Sequence, residues 1–201
     1  LLASLPRALD IVGDIAIIKV PPTLDNGKEL VARAIMASNR SVKTVLNQTS
    51  PVRGEFRIRE LEHVLGERKT CTLHREYGCV FKVDLGKVYF SPRLSYERMR
   101  IGKLVEKGEV VANMFAGVGC FSIIIAKHSS AKMVYSMDIN PNAVQLMKEN
   151  ISLNRVGERV EAIEGDAKEV IEKRFLESVD RVLMPLPELS LIHISEPTRP
   201  Y

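Results

Sequence analysis

Apolar residues follow two different periods along this chain, and the changeover divides it in two. Up to about residue 80, short β-rich runs dominate. Residues 10–20 read as one strand, strongest at Ile15-Ala16-Ile17-Ile18-Lys19-Val20 and ended by Pro21-Pro22. Residues 24–38 place Leu30, Val31, Ala34 and Ile35 at helical spacing, which predicts a helix packed on a sheet. Residues 42–46 and 70–74 are strand-like. Residues 54–62 alternate in type, so Phe56 and Ile58, with Leu61, are predicted to point inward while Arg57 and Arg59 share the opposite face. Residues 80–84 form a further strand leading into Val88-Tyr89-Phe90-Ser91-Pro92-Arg93.

From about residue 95, helix and strand alternate. Helical spacing covers residues 96–104, 121–127, 143–153 (with Pro141 as opener) and 167–177. Between them lie β-rich runs at 110–115, 133–137, 160–163 and 181–184. This alternation predicts an α/β fold with a parallel, doubly wound sheet and right-handed crossovers. Such sheets take their ligands at the carboxyl ends of the strands. Gly117-Val118-Gly119, Asp138, Asp166 and Pro185-Leu186-Pro187 all fall at those ends.

Composition narrows the classes. With 201 residues, 45% hydrophobic and 27% charged, the chain is of globular type and long enough for one large or two small domains. Its longest apolar runs are far shorter than a membrane span and no secretory leader is visible, so no membrane partner is expected. Three cysteines argue against a disulfide framework and fit a reducing compartment, the cytoplasm. Cys71, His74 and Cys79 match no familiar zinc spacing and lack a fourth ligand, so no metal is expected. Lys and Arg (29) exceed Asp and Glu (25) only mildly, which permits nucleic-acid binding without requiring it. The cations concentrate between residues 82 and 103, where Lys82, Lys87, Arg93, Arg98, Arg100 and Lys103 face only Asp84 and Glu97. That segment is a candidate phosphate-binding surface.

Two cofactors compete for the glycine loop. Gly117-x-Gly119-x-x-Ser122 loosely imitates a dinucleotide fingerprint, in which glycines admit a pyrophosphate at a helix N-terminus. S-adenosyl-L-methionine needs instead a glycine turn for its methionyl part, an acid for the ribose hydroxyls and polar groups for the adenine edge. Asp138 suits the ribose in either case. Ser122 in place of the third glycine, Phe115 and Phe121 flanking the loop, and Asp166 after a third strand favour S-adenosyl-L-methionine.

The sequence resembles the archaeal and eukaryotic type of tRNA (guanine-N1)-methyltransferase, which acts on guanine 37 beside the anticodon. The resemblance runs from about Arg7 to Glu188. It is carried by Asp10-Ile11-Val12-Gly13-Asp14-Ile15-Ala16, Gly54-Glu55-Phe56-Arg57-Ile58-Arg59, His74-Arg75-Glu76-Tyr77-Gly78, the glycine loop and Asp138-Ile139-Asn140-Pro141. Its most specific part is Ser91-Pro92-Arg93-Leu94-Ser95-Tyr96-Glu97-Arg98, which also separates it from the related wybutosine aminocarboxypropyltransferase. The resemblance implies a small α+β domain at residues 1–80, the second of three in the family. It implies a class I (Rossmann-like) methyltransferase domain at 81–188, truncated at its C-terminal side.

Residues 189–201 resemble the translation of a library-preparation adapter and are expected to be a non-native tail. A chain cut at both ends is expected to be inactive alone and prone to aggregate, since an incomplete parallel sheet leaves one edge unpaired.

The same resemblance assigns roles. Glu97 is the base that takes the N1 proton, its pKa raised by apolar neighbours, and Arg57 stabilises charge growing on O6, with Arg59 as the fallback. Tyr89 closes over the cofactor or stacks near the base. The cofactor is expected to meet Asn113, Phe115, Gly117, Gly119, Asp138, Ile139, Asn140, Asp166 and Pro187. Arg59, Arg93, Arg98 and Arg100 are expected to bind the RNA. The implied partner is tRNA, bound by a monomer. Pro185 stands where the family often has an asparagine, which removes a side-chain amide from base recognition. The alternatives are aminocarboxypropyl transfer to a tRNA base, a nicotinamide-dependent dehydrogenase and a non-catalytic RNA-binding module.

Overall fold

The computed structural model describes residues 9–52, 54–175 and 178–185. The chain forms two compact units that divide between Glu97 and Arg98.

The first unit is built on a four-stranded sheet of order β1-β2-β3-β4. Strands β1 (Leu9–Val12) and β2 (Ile15–Ile18) are antiparallel, with Val12 opposite Ile15. The single strand expected over residues 10–20 is therefore a hairpin. Gly13 turns it at φ 57, and a Cβ there would collide with Thr72 Oγ1 and the Leu73 carbonyl, so only glycine lets the turn press on the neighbouring strand. A 3-10 turn and helix α1 (Lys28–Ser38) carry the chain over to β3 (Thr44–Gln48), parallel to β2. Strand β4 (Leu61–Gly66) closes the sheet antiparallel to β3. Ala32 of α1 meets Ala16, Ile18, Val42 and Val45 in a buried core flanked by Val31 and Ile35.

A separate hairpin joins β5 (Cys71–Glu76) and β6 (Cys79–Asp84). Tyr77 and Gly78 both take positive φ, 47 and 72, the geometry that matches the twist of two-residue hairpins.

Residues 54–62 depart from expectation. Residues 54–57 form a turn, with Gly54 at φ 72 and Arg57 at φ 53, and the strand starts only at Leu61. Phe56 is 38% exposed instead of inward-facing, and Arg57 and Arg59 share no strand face.

Helix α2 (Ser95–Leu104) contains the division between the units. The second unit is the parallel α/β sheet expected: order β10-β7-β8-β9, with every pairing parallel. Its strands are β7 (Val110–Asn113), β8 (Met133–Asp138), β9 (Val160–Glu164) and β10 (Arg181–Leu183). They alternate with α3 (Cys120–His128), α4 (Pro141–Leu153) and α5 (Ala167–Arg174). Ile123, Ile124 and Ile125 of α3 are all inaccessible, as a helix covering a sheet requires when its apolar residues are contiguous.

The strand order reverses between β10 and β7, which opens a crevice at their carboxyl ends. Among the described residues no helix is long and apolar enough to cross a membrane, and no three His, Cys, Asp or Glu side chains gather as metal ligands.

Candidate cofactor site

Parallel register sets Asn113 opposite Ser136 and Leu183, and Asp138 opposite Glu164, so three of the expected site segments share one edge of the sheet. The loop after β7 is held by backbone. Ala116 N–H donates to the Met137 carbonyl (2.9 Å) and Gly119 N–H to the Ala116 carbonyl (2.9 Å). Both loop glycines take positive φ, 55 at Gly117 and 88 at Gly119. A Cβ on Gly119 would stand 2.9 Å from Met147 Cγ and 3.3 Å from Ile123 Cδ1, so the turn closes only with glycine. Asn150 of α4 donates its amide to the Val118 carbonyl (3.0 Å) from a fully buried position.

Asp138 ends β8 and is clasped from both sides. Gly117 N–H donates to its Oδ2 (2.7 Å) and Asn140 N–H to its Oδ1 (2.9 Å). Burial pushes its pKa above the ordinary carboxylate value, against these amide bonds. No described cation stands within ion-pair distance of it. Ile139, next in sequence, leaves 42% of its surface exposed, an apolar face beside the acid.

Asn113 is inaccessible. Its Nδ2 donates to Ser122 Oγ (3.0 Å), which also accepts from Ser136 Oγ (2.6 Å). Asn113 Oδ1 has no hydrogen-bond partner among the described residues. A buried acceptor without a donor is costly, and an ammonium group would satisfy it. The orphaned acceptor, the glycine turn and the clasped acid together fit a ligand with an amino group at one end and hydroxyls at the other.

Other expected contacts are occupied elsewhere. Asn140 caps α4, its Oδ1 accepting from Asn142 N–H (3.0 Å), and Asp166 caps α5 through Glu169 N–H (3.0 Å). Phe115 packs with Met137 and Ala167 in the core under α5. Pro187 and the tail at 189–201 lie outside the described residues.

In the first unit, Tyr89 is half-buried, with the Arg57 guanidinium 5.3 Å and the Arg59 guanidinium 6.0 Å from its ring centre. Arg59 is itself buried and donates to the Phe90 carbonyl (2.6 Å). Arg93 is exposed and donates to Asp10 (2.8 Å). Glu97 is half-buried in the first turn of α2.

One expectation is corrected outright. Arg98 is only 3% exposed and its guanidinium lies 6.0 Å from the Phe121 ring, so it is withdrawn from the surface, whereas Arg100 is exposed. Ser122, Ser136 and Asn150 went unforeseen as site supports. The one signal in sequence was a polar residue inside an otherwise apolar strand or helix.

Residues 72–198 match the model of the TRM5/TYW2 methyltransferase domain. The chain belongs to this family. Residues 1–70 match the TYW2 N-terminal domain. Within the family, the chain is 47% identical over 184 residues to the tRNA (guanine(37)-N(1))-methyltransferase Trm5b of Pyrococcus abyssi, covering 92% of this chain and 53% of that protein. It is 37% identical over 173 residues to the tRNA(Phe) (4-demethylwyosine(37)-C(7)) aminocarboxypropyltransferase of Methanocaldococcus jannaschii, covering 86% of this chain and 65% of that one. Among solved structures, the complex of aTrm5 and tRNALeu superposes with a TM-score of 0.79 at 41% identity, over 90% of this chain and 52% of that one. The chain thus spans about half the length of the Trm5 relatives it matches.

Proposed function

We propose that the chain carries the cofactor site of an enzyme that transfers a methyl group from S-adenosyl-L-methionine to N1 of guanine 37 in tRNA. The observation that supports this best is Asp138, a carboxylate held by two backbone amides beside a left-handed glycine turn and left without a cation. Its oxygens suit ribose hydroxyls, Asn113 Oδ1 suits the methionyl ammonium, and Ile139 suits the adenine face. The sulfonium of the cofactor supplies an activated methyl group.

The chain's residues must do the rest. N1 of guanine carries a proton and is a poor nucleophile until that proton leaves. Glu97 takes it as the N1–methyl bond forms and the methyl–sulfur bond breaks, the electron pair staying on the departing S-adenosylhomocysteine, and Arg57 donates to O6 as negative charge moves there. Its stacking on Tyr89 holds the planar Arg57 guanidinium for that donation. The proton then passes from Glu97 to solvent.

Calorimetric titration with S-adenosylhomocysteine and, separately, NADH tests the cofactor. Binding of the first and not the second is expected, and the reverse would overturn the reading.

A second reading, aminocarboxypropyl transfer to the base at position 37, draws support from the TYW2 match of residues 1–70. Mass spectrometry of the modified nucleoside separates the two products. In the full-length enzyme the methyl adduct is expected, and it should disappear in Glu97→Gln.

A further inference from the structure

A cavity of about 400 Å³ opens within the first unit, lined by Asp10, Lys19, Gln48, Arg59, Tyr89 and Arg93. That volume lies in the range of small-ligand pockets. Its character comes from Arg59, which is only 9% exposed. Arg59 donates to the Phe90 carbonyl at 2.6 Å and reaches Gln48 Oε1 at 3.4 Å, both neutral acceptors. No described carboxylate comes within ion-pair distance of it; the nearby acid, Asp10, attracts it from farther off and pairs with Arg93 Nε at 2.8 Å. Burial pulls the Arg59 pKa below the ordinary guanidinium value, yet an arginine stays charged at neutral pH.

A buried cation whose hydrogen bonds go only to neutral acceptors is an expensive arrangement. Folding alone gives no reason for it, since a neutral side chain could bond the Phe90 carbonyl at less cost. The rim adds positive charge. Lys19 is exposed and makes no ion pair with a described residue, and Arg93 is largely exposed. A buried planar guanidinium and an exposed ammonium are the donor set that suits a phosphate oxyanion.

We infer that this cavity is a phosphodiester subsite for the RNA substrate, in which Arg59 and Lys19 bind one backbone phosphate. The subsite deepens the function proposed above and rests on it. It makes Arg59 a substrate-positioning residue and gives Lys19, which no sequence motif marks, a direct contact.

The test is binding of a fluorescently labelled anticodon stem-loop RNA to the whole chain across a potassium chloride series. Lys19→Ala should bind roughly tenfold more weakly at low salt. Its slope of log K against log salt should be shallower by about one. Arg59→Lys keeps the charge and loses the fork, and should also bind more weakly with an unchanged urea midpoint. Arg33→Ala, on the exposed face of α1, should change neither quantity. RNA affinity and salt slope unchanged in Lys19→Ala would overturn the subsite, even if Arg59→Lys were unstable.

Inorganic phosphate, compared with chloride at equal ionic strength, separates the sources of the anion. Saturable thermal stabilisation by phosphate that needs Lys19, with RNA binding indifferent to Lys19, would reassign the cavity to a free anion and overturn the RNA assignment. S-adenosylhomocysteine binding, read on the same wild-type sample, reports on the cofactor reading independently. Its failure would count against that reading, whereas a Lys19-insensitive RNA affinity in a protein that binds S-adenosylhomocysteine would sink the subsite alone.

Discussion

Two aspartates at the ends of short strand segments, Asp14 and Asp138, have opposite electrostatics. Asp14, in the β1–β2 turn, is fully engaged. Lys69 Nζ stands 2.7 Å from Oδ2, and Thr72 Oγ1 donates to Oδ1 at 2.7 Å. Burial acts to raise its pKa, but these hydrogen bonds outweigh it and the net shift is downward. Asp138 receives only backbone amides, and burial carries its pKa upward. A carboxylate that ties two strands together is given a cation inside the fold. One that must meet a ligand is held in position by dipoles and left without a counter-charge. The absent counter-charge is a better mark of a site than the acid itself.

Exchanging each acid for its amide tests this contrast. Asp138→Asn should weaken S-adenosylhomocysteine binding roughly thirtyfold or more, the loss of about 2 kcal/mol for charge-assisted hydrogen bonds to the ribose. Asp14→Asn should leave that affinity unchanged. Isothermal titration on both variants decides it, and equal losses in the two would erase the distinction.

Next in size is the glycine turn. Gly119→Ala puts a Cβ 2.9 Å from Met147 Cγ on a backbone at φ 88, and should cost about 2 kcal/mol in urea unfolding. Gly54→Ala carries a similar positive φ, 72, but nothing lies within 4 Å of its Cβ, so it should cost about 1 kcal/mol from backbone strain alone. Ser122→Ala is of similar size. It strips a partner from the buried Asn113 amide and from Ser136, and should cost about 1 kcal/mol.

These variants also mark where sequence was readable. The parallel half was legible because its strands are mostly apolar, its helices are periodic, and its glycines and Asp138 stand at the junctions where the chain changes period. Pro141 and the helix it opens could be placed to within a residue or two for the same reason. The antiparallel half was less so. Residues 54–57 have strand-like composition, and only the left-handed backbone at Gly54 and Arg57 shows that they turn. The Gly13-Asp14 step, where the hairpin turns, was read as part of one strand because the residues on either side are apolar. Arg98 was misplaced because charge predicts exposure, whereas the Phe121 ring offers a guanidinium a buried seat. The Asn113–Ser122–Ser136 network was illegible because it joins a strand, a helix and a second strand whose adjacency exists only after folding.

The subtlest consequence of the contrast is its pH dependence. Asp138 in the native, ligand-free protein holds its proton more tightly than in the unfolded chain. Its contribution to folding therefore grows as pH falls through the raised pKa and shrinks as pH rises through it. Ribose binding runs the other way, since hydroxyl donors need the ionised carboxylate. S-adenosylhomocysteine affinity should decline on acidification before ordinary carboxylates titrate, and this early decline should vanish in Asp138→Asn. Asp14 behaves oppositely. Its native pKa is lowered, so its stabilising contribution is complete above the ordinary aspartate value and is lost only as pH falls through the depressed one. Titration calorimetry over a falling pH series, paired with urea midpoints on the same samples, separates the two acids. Affinity should fall while the midpoint still holds, and a midpoint that drops first would overturn the assignment of a raised native pKa to Asp138 and a lowered one to Asp14.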